Sequence, residues 1–135
     1  MTGQEPPRVS PKVIDCLVNV HFGETAKQPE FMLKVRDDYF KGPQSLYEQV
    51  ELPALLDEMD ENGVTKAILM DNLVKPSVTA RKFAEERPDR FALAIGGVNL
   101  LRPVPALAEL AAVRRDLPVA YAAVGPSFWG DGMYP

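Results

Sequence analysis

Residues 52–70 read LPALLDEMDENGVTKAILM, and this stretch decides the fold class because a helix pattern passes directly into a strand pattern. Four apolar residues recur at the spacing of one helix face: Leu52, Leu55, Leu56 and Met59. Pro53 suits the first turn of a helix, and Asn62-Gly63 supplies a C-terminal stop. Residues 66–70 are a short apolar run, as in a buried strand. The stretch therefore predicts a helix followed by a strand of a parallel sheet.

The same alternation extends to both sides of this stretch. Residues 13–20 are almost continuously apolar and predict a strand buried on both faces, and residues 91–95 and 120–124 predict two more strands. Ser77 is placed to cap a helix that ends before Pro88. We expect its inward face to carry Val78, Phe83 and Ala84.

A third helix is predicted over residues 103–115. Its expected inward face carries five residues: Val104, Leu107, Ala108, Leu110 and Ala111. The resulting order, β-α-β-α-β-α-β, predicts an α/β fold with parallel strands. We interpret it as the N-terminal half, about four βα units, of a TIM-type (β/α)8 barrel. The alternative is a small doubly wound, flavodoxin-like sheet with helices on both faces.

Composition limits the function classes. The chain has 135 residues, a net charge of −4 and one cysteine, with acids and bases interleaved. Without a basic stripe nucleic acid is not an expected partner, and without a long apolar run neither is a membrane. We expect a cytoplasmic protein, with residues 1–11, rich in proline, as a disordered lead-in and residues 12–135 as a partial barrel domain.

Polar residues follow each predicted strand, where parallel α/β folds gather their functional groups. His21, the only histidine, follows the first strand, and Asn19 falls on the same face by alternation. Together they outline a pair of metal ligands, of which Asn19 is the weaker because an amide oxygen binds Zn²⁺ poorly. The alternative is that His21 is a hydrogen-bonded structural residue.

Four further residues are candidates for binding a substrate: Asp71, Asn72, Asn99 and Trp129. Each also has a structural interpretation, in which Asp71 and Asn72 cap the next segment and Trp129 packs in a core or an interface. Cys16, in the middle of the first strand, is expected to be a small buried residue and not a nucleophile.

Three segments resemble the amidohydrolase superfamily, in particular the amidohydrolase-2 family that includes aminocarboxymuconate-semialdehyde decarboxylase. Residues 13–23, VIDCLVNVHFG, resemble that family's first strand. Residues 55–64 are similar to its first helix and turn, and residues 83–91 to its second helix leading into the third strand. The resemblance covers about residues 12–135, which would be four of the family's eight strands.

The resemblance implies a metal-dependent hydrolase acting on a small organic substrate, or a non-oxidative decarboxylase of the same family. Its first strand usually ends in His-x-His, and the matching positions here are Asn19 and His21. It implies a divalent metal, zinc in first place, with His21 as a ligand and with Asn19 departing from the pattern. The family's other ligands would lie beyond Pro135, so these residues alone are expected to be inactive.

Two further expectations follow. A half barrel leaves open edges, so we expect a homo-oligomer, or completion by a C-terminal half. Residues 23–50, long and without periodicity, are expected to cover the mouth of the barrel as a lid. A third interpretation is a non-catalytic half barrel that binds a ligand or is structural and whose ligand set has decayed, which Asn19 suggests.

Overall fold

The computed structural model describes residues 3, 12–24 and 27–125. The expected lead-in over residues 1–11 falls almost entirely outside these ranges, and so does Trp129. Four strands and four helices follow in chain order: β1 (Val13–Val18), α1 (Glu30–Lys34), α2 (Leu52–Glu61), β2 (Val64–Asn72), α3 (Val78–Glu86), β3 (Phe91–Gly96), α4 (Pro103–Asp116) and β4 (Val119–Ala122). A π-helical turn, Val35–Phe40, continues α1, and 3₁₀ turns span Phe22–Glu24 and Gln44–Tyr47.

The four strands form one parallel sheet in the order β1-β2-β3-β4. The predicted α/β class with parallel strands is therefore confirmed. In a flavodoxin-like sheet β1 lies between β2 and β3, because the strand order reverses there. Here each strand lies beside the next one in the chain. With right-handed crossovers, this order places successive helices on one side of the sheet.

The sheet is curved. The Tyr121 hydroxyl on β4 donates a hydrogen bond of 2.7 Å to the carbonyl oxygen of Cys16 on β1. In a flat sheet three interstrand spacings, about 14 Å, would separate these two strands. A tyrosine side chain and one hydrogen bond do not reach that far. The outer strands have therefore turned toward each other over the concave face.

The core lies between the sheet and the helices that connect its strands. Ala67 and Leu69 of β2 alternate toward it, beside Phe91, Leu93 and Ile95 of β3. From the helices it takes these buried residues: Met59 of α2 and Ala80, Phe83 and Ala84 of α3. Because β2 and β3 each have a strand on both sides, they carry most of this core, and they end at the same edge of the sheet.

Helix boundaries follow the local signals. Ser77 is the N-cap of α3, as predicted, and its hydroxyl accepts the Ala80 N–H at 3.0 Å. Gly63 follows α2 with φ of 70°, the left-handed conformation that glycine adopts most easily. Among the described residues, no helix combines the length and apolar character needed to cross a membrane.

The prediction that β1 is buried on both faces is wrong. Val13, Ile14 and Leu17 are each about half exposed, and Cys16 is exposed rather than buried. In the part of the chain that the structure describes, β1 is an outer strand paired only with β2. The apolar composition of β1 is typical of a strand with neighbours on both sides. Because β1 has a neighbour on one side only in the described sheet, its apolar side chains lie at an open edge.

The face expected to point inward from α4 is also largely wrong. Val104 and Leu107 are 77% and 61% exposed, and Ala108 and Ala111 are exposed too. Of the predicted face, Leu110 does pack against the core, beside Ala106 and Val113, which were not predicted. This helix is apolar around most of its circumference, so periodicity does not select one face. On α3, Phe83 and Ala84 are buried as predicted, whereas Val78 is exposed in the first turn.

Candidate functional site

A cleft of about 990 Å³ opens at the carboxyl ends of the strands. Its walls come from the residues that follow β1, from the end of β2 and the connection to α3, and from the ends of β3 and β4. Apolar side chains form much of the wall, among them Phe22, Met70, Val74 and Val98. The cleft lies where parallel α/β folds place their ligands.

Asn19 and His21 both line this cleft, as the alternation of side chains predicts. Val20, between them, is 1% exposed and belongs to the core. β1 ends at Val18, so these residues follow the strand, with Val20 in the core and its two neighbours on the cleft. The His21 ring is half-buried and rests against Phe22, with ring centroids 4.6 Å apart.

Asp71 lines the cleft with its carboxylate fully buried and both oxygens engaged. One oxygen accepts the Ser77 N–H at 2.7 Å, and the other accepts Arg81 Nε–H at 2.8 Å. These bonds join the end of β2 to the first turn of α3. They correspond to the capping interpretation of this aspartate, and its role in binding a substrate stays a prediction.

Asn72 also lines the cleft, and its side chain is held in a turn. Its Oδ1 accepts the Val74 N–H at 2.8 Å and the Lys75 N–H at 3.3 Å. Gly97 packs against the same side chain with φ of 71°, and a Cβ at this position would collide with Asn72 Oδ1. The glycine that follows β3 thus makes room for the amide of the last residue of β2.

The other two predicted binding residues are not brought to this site by the described structure. Asn99 is not among the residues of the cleft wall, and its Oδ1 accepts the Leu101 N–H at 3.0 Å in a local turn. Trp129 lies outside the described residues. Two exposed residues that sequence reasoning did not single out line the cleft instead, Lys75 and Glu24.

Glu24 has the most polar contacts of the residues that sequence reasoning missed. Its Oε1 accepts the Ser77 hydroxyl and the Thr79 N–H, both at 2.7 Å. Partial burial raises the pKa of the Glu24 carboxyl, but the hydrogen bonds from Ser77 and Thr79 and the charge of His21 outweigh burial, so the pKa is lowered. The partners lie more than 50 residues along the chain, so only the Ser77 cap signal hinted at this contact.

The polar groups of the described cleft do not amount to a metal site. Among the described residues, no three His, Cys, Asp or Glu side chains come together in a way that could hold an ion. Both oxygens of Asp71 and Oε1 of Glu24 already accept hydrogen bonds, so the described cleft offers the imidazole of His21, the amide of Asn19 and Oε2 of Glu24. Zn²⁺ sites use three or four protein ligands, so further ligands would have to come from elsewhere.

Comparison with known proteins identifies no relative. A scan against protein-family models, a search of curated proteins and a search of solved structures each found no match.

Proposed function

We propose that this chain is the N-terminal half of a metal-dependent hydrolase of the amidohydrolase type, with a (β/α)8 barrel completed by further polypeptide. One observation carries the proposal: Asn19 and His21 both line a cleft at the carboxyl ends of parallel strands. The resemblance of the sequence would make these two residues the counterparts of the family's His-x-His pair. In barrel enzymes the catalytic groups come from this edge of the sheet.

The architecture supports the same proposal. The strands follow chain order around a curved sheet, as successive strands of a barrel do. β1 and β4, the outer strands of the described sheet, are where additional strands would attach. Val13, Ile14 and Leu17 on β1 are exposed apolar residues, and so is Tyr121 on β4. Such surface favours association.

In this proposal His21 is the one strong ligand that the described residues supply. A divalent ion, with zinc in first place, would supply an activated water, and the remaining ligands would come from the completing strands. Asn19 would use its side-chain amide to orient the substrate or a neighbouring ligand of the ion. The apolar wall with few polar groups suits a small organic substrate, and a cytoplasmic location belongs to the same proposal.

Two other functions share this cleft. Non-oxidative decarboxylation would use the same ligands, and carbon dioxide as a product distinguishes it from hydrolysis. A non-catalytic binding protein is the second. Both oxygens of Asp71 and one oxygen of Glu24 accept structural hydrogen bonds, which favours this function.

Metal content tests the proposal. The longest naturally expressed protein that contains this sequence is purified without a histidine tag or chelator. Its metal content is then measured by mass spectrometry. We expect about one divalent ion per chain, lost in His21→Ala and kept in Lys75→Ala, a matched change at an exposed cleft residue. Absence of stoichiometric metal from the wild-type protein, or equal metal in His21→Ala, would overturn the proposal and favour the binding protein.

A further inference from the structure

The turn after β1 carries His21 and Glu24 together. The Glu24 N–H donates to the His21 carbonyl oxygen at 3.1 Å, which closes the 3₁₀ turn Phe22–Glu24. Movement of one of these residues therefore displaces the other. Gly23, between them, packs so closely on Gln49 that a Cβ would collide with its backbone. The turn is thus pressed against the segment that leads into α2.

The Glu24 side chain leaves this turn to reach the start of α3. Its Oε1 accepts the Thr79 N–H, one of the first-turn N–H groups that lack a partner within the helix. The same atom accepts the Ser77 hydroxyl, whose oxygen in turn accepts the Ala80 N–H. A carboxylate is favourable here because the N-terminal end of a helix carries partial positive charge. Glu24 thus occupies the N-terminus of α3.

Helix α3, to which Glu24 binds, is itself held in place by several contacts. Asp71, at the end of β2, binds both the Ser77 N–H and Arg81 Nε. Ala80 and Phe83 bury α3 in the core. The turn that carries His21, by contrast, follows an exposed outer strand. Val20 in the core and Gly23 against Gln49 also hold this turn, and the bond from Glu24 is the contact that ties it to α3.

We infer that Glu24 is a positioning residue, which holds the His21 imidazole at the rim of the cleft by tying the turn after β1 to the N-terminus of α3. The inference rests on the proposed function only where His21 acts as a metal ligand. The placement of the imidazole can be tested without a metal.

His21 is the only histidine, so its ring protons give a single set of signals in a carbon-correlated NMR spectrum of the 135-residue chain. The Phe22 ring, 4.6 Å away and tilted by 51°, shifts these signals from their denatured-state positions. In Glu24→Ala we expect them to move measurably toward the denatured positions, while the methyl signals of Leu93 stay. Glu24→Gln keeps an acceptor oxygen and should retain most of the native shift.

The control is Glu51→Ala, since Glu51 is exposed and its side chain makes no capping bond at the start of α2. It should leave the His21 signals in place. Unchanged His21 signals in Glu24→Ala would overturn the inference, and so would equal shifts in the control. If Glu24→Ala does not fold, Glu24→Gln and Ser77→Ala decide: the latter removes one of the two bonds and should give a partial shift, and native signals in it would count against the tie.

A second measurement determines the zinc affinity of the longest naturally expressed protein that contains this sequence, with zinc as the only added ligand. Groups that orient a ligand typically change metal affinity 10–100-fold when removed, so we expect about a tenfold loss of zinc affinity in Glu24→Ala, restored largely by Glu24→Gln. Wild-type protein that binds no zinc would refute the proposed function and leave the NMR result standing. Zinc affinity equal in wild type and Glu24→Ala would refute the positioning role alone.

Discussion

Replacing Asp71 by alanine separates a structural carboxylate from one kept for binding a substrate. The side chain is fully buried and accepts two bonds, from the Ser77 N–H and from Arg81 Nε. Removing one partner of a buried ion pair costs about 3–5 kcal/mol because the other charge is left unpaired. The Arg81 side chain is 30% exposed and can turn toward water, which favours the lower end. We therefore expect a loss of about 3 kcal/mol in the free energy of unfolding.

Urea denaturation of the 135-residue chain, followed by far-ultraviolet circular dichroism, measures this loss. Arg81→Ala and the double variant complete a cycle, in which the double variant should cost clearly less than the sum of the single ones. Asp57→Ala, at an exposed position of α2, is the matched control and should stay within about 0.5 kcal/mol of wild type.

The opposite result is equally informative. A carboxylate held ready for a ligand often costs stability, so its removal is neutral or stabilising. If Asp71→Ala stays within about 1 kcal/mol of wild type, the buried pair with Arg81 does not stabilise the fold. The structural account of Asp71 would then be refuted, and the binding role predicted from the sequence would gain support.

Three further predictions concern single positions. Gly97→Ala should cost about 2 kcal/mol in urea denaturation, because strain at positive φ adds to the collision with Asn72, whereas Gly63→Ala, at the same φ in open space, should cost about 1 kcal/mol; equal costs would contradict the steric account. Folding lowers the pKa of the Glu24 carboxyl, so the stability that this carboxylate contributes is present above the ordinary pKa of 4.5 and is lost as pH falls through the folded pKa. In Glu24→Gln the free energy of unfolding should therefore depend less on pH in the acid range. An unchanged pH profile would argue against the contact. By light scattering after gel filtration, the 135-residue chain should associate and Ile14→Lys, on the exposed β1, should associate less; a monomeric wild-type chain would argue against sticky open edges.

Local patterns in the sequence determined the elements and their order. The apolar face of α2, the helix end at Asn62-Gly63 and the Ser77 N-cap each depend on residues within a few positions of one another. The sequence alone therefore predicts them. The same holds for Asn19 and His21, whose shared direction is predicted by side-chain alternation along the apolar run of residues 13–20. Segments such as residues 23–50, where no period repeats, offered no such signal.

The tertiary structure decided which neighbours each element has, and thereby which polar groups are free. β1 is exposed despite its apolar sequence because it is an outer strand of the described sheet. On α4, which is apolar on most sides, tertiary packing determines that Ala106 is the buried residue. Glu24 finds Ser77 across 53 positions of the chain. Such contacts arise when separate segments pack together, and no local preference encodes them. The sequence alone therefore placed His21 at the site, whereas the fold decided which carboxylates there are already bound.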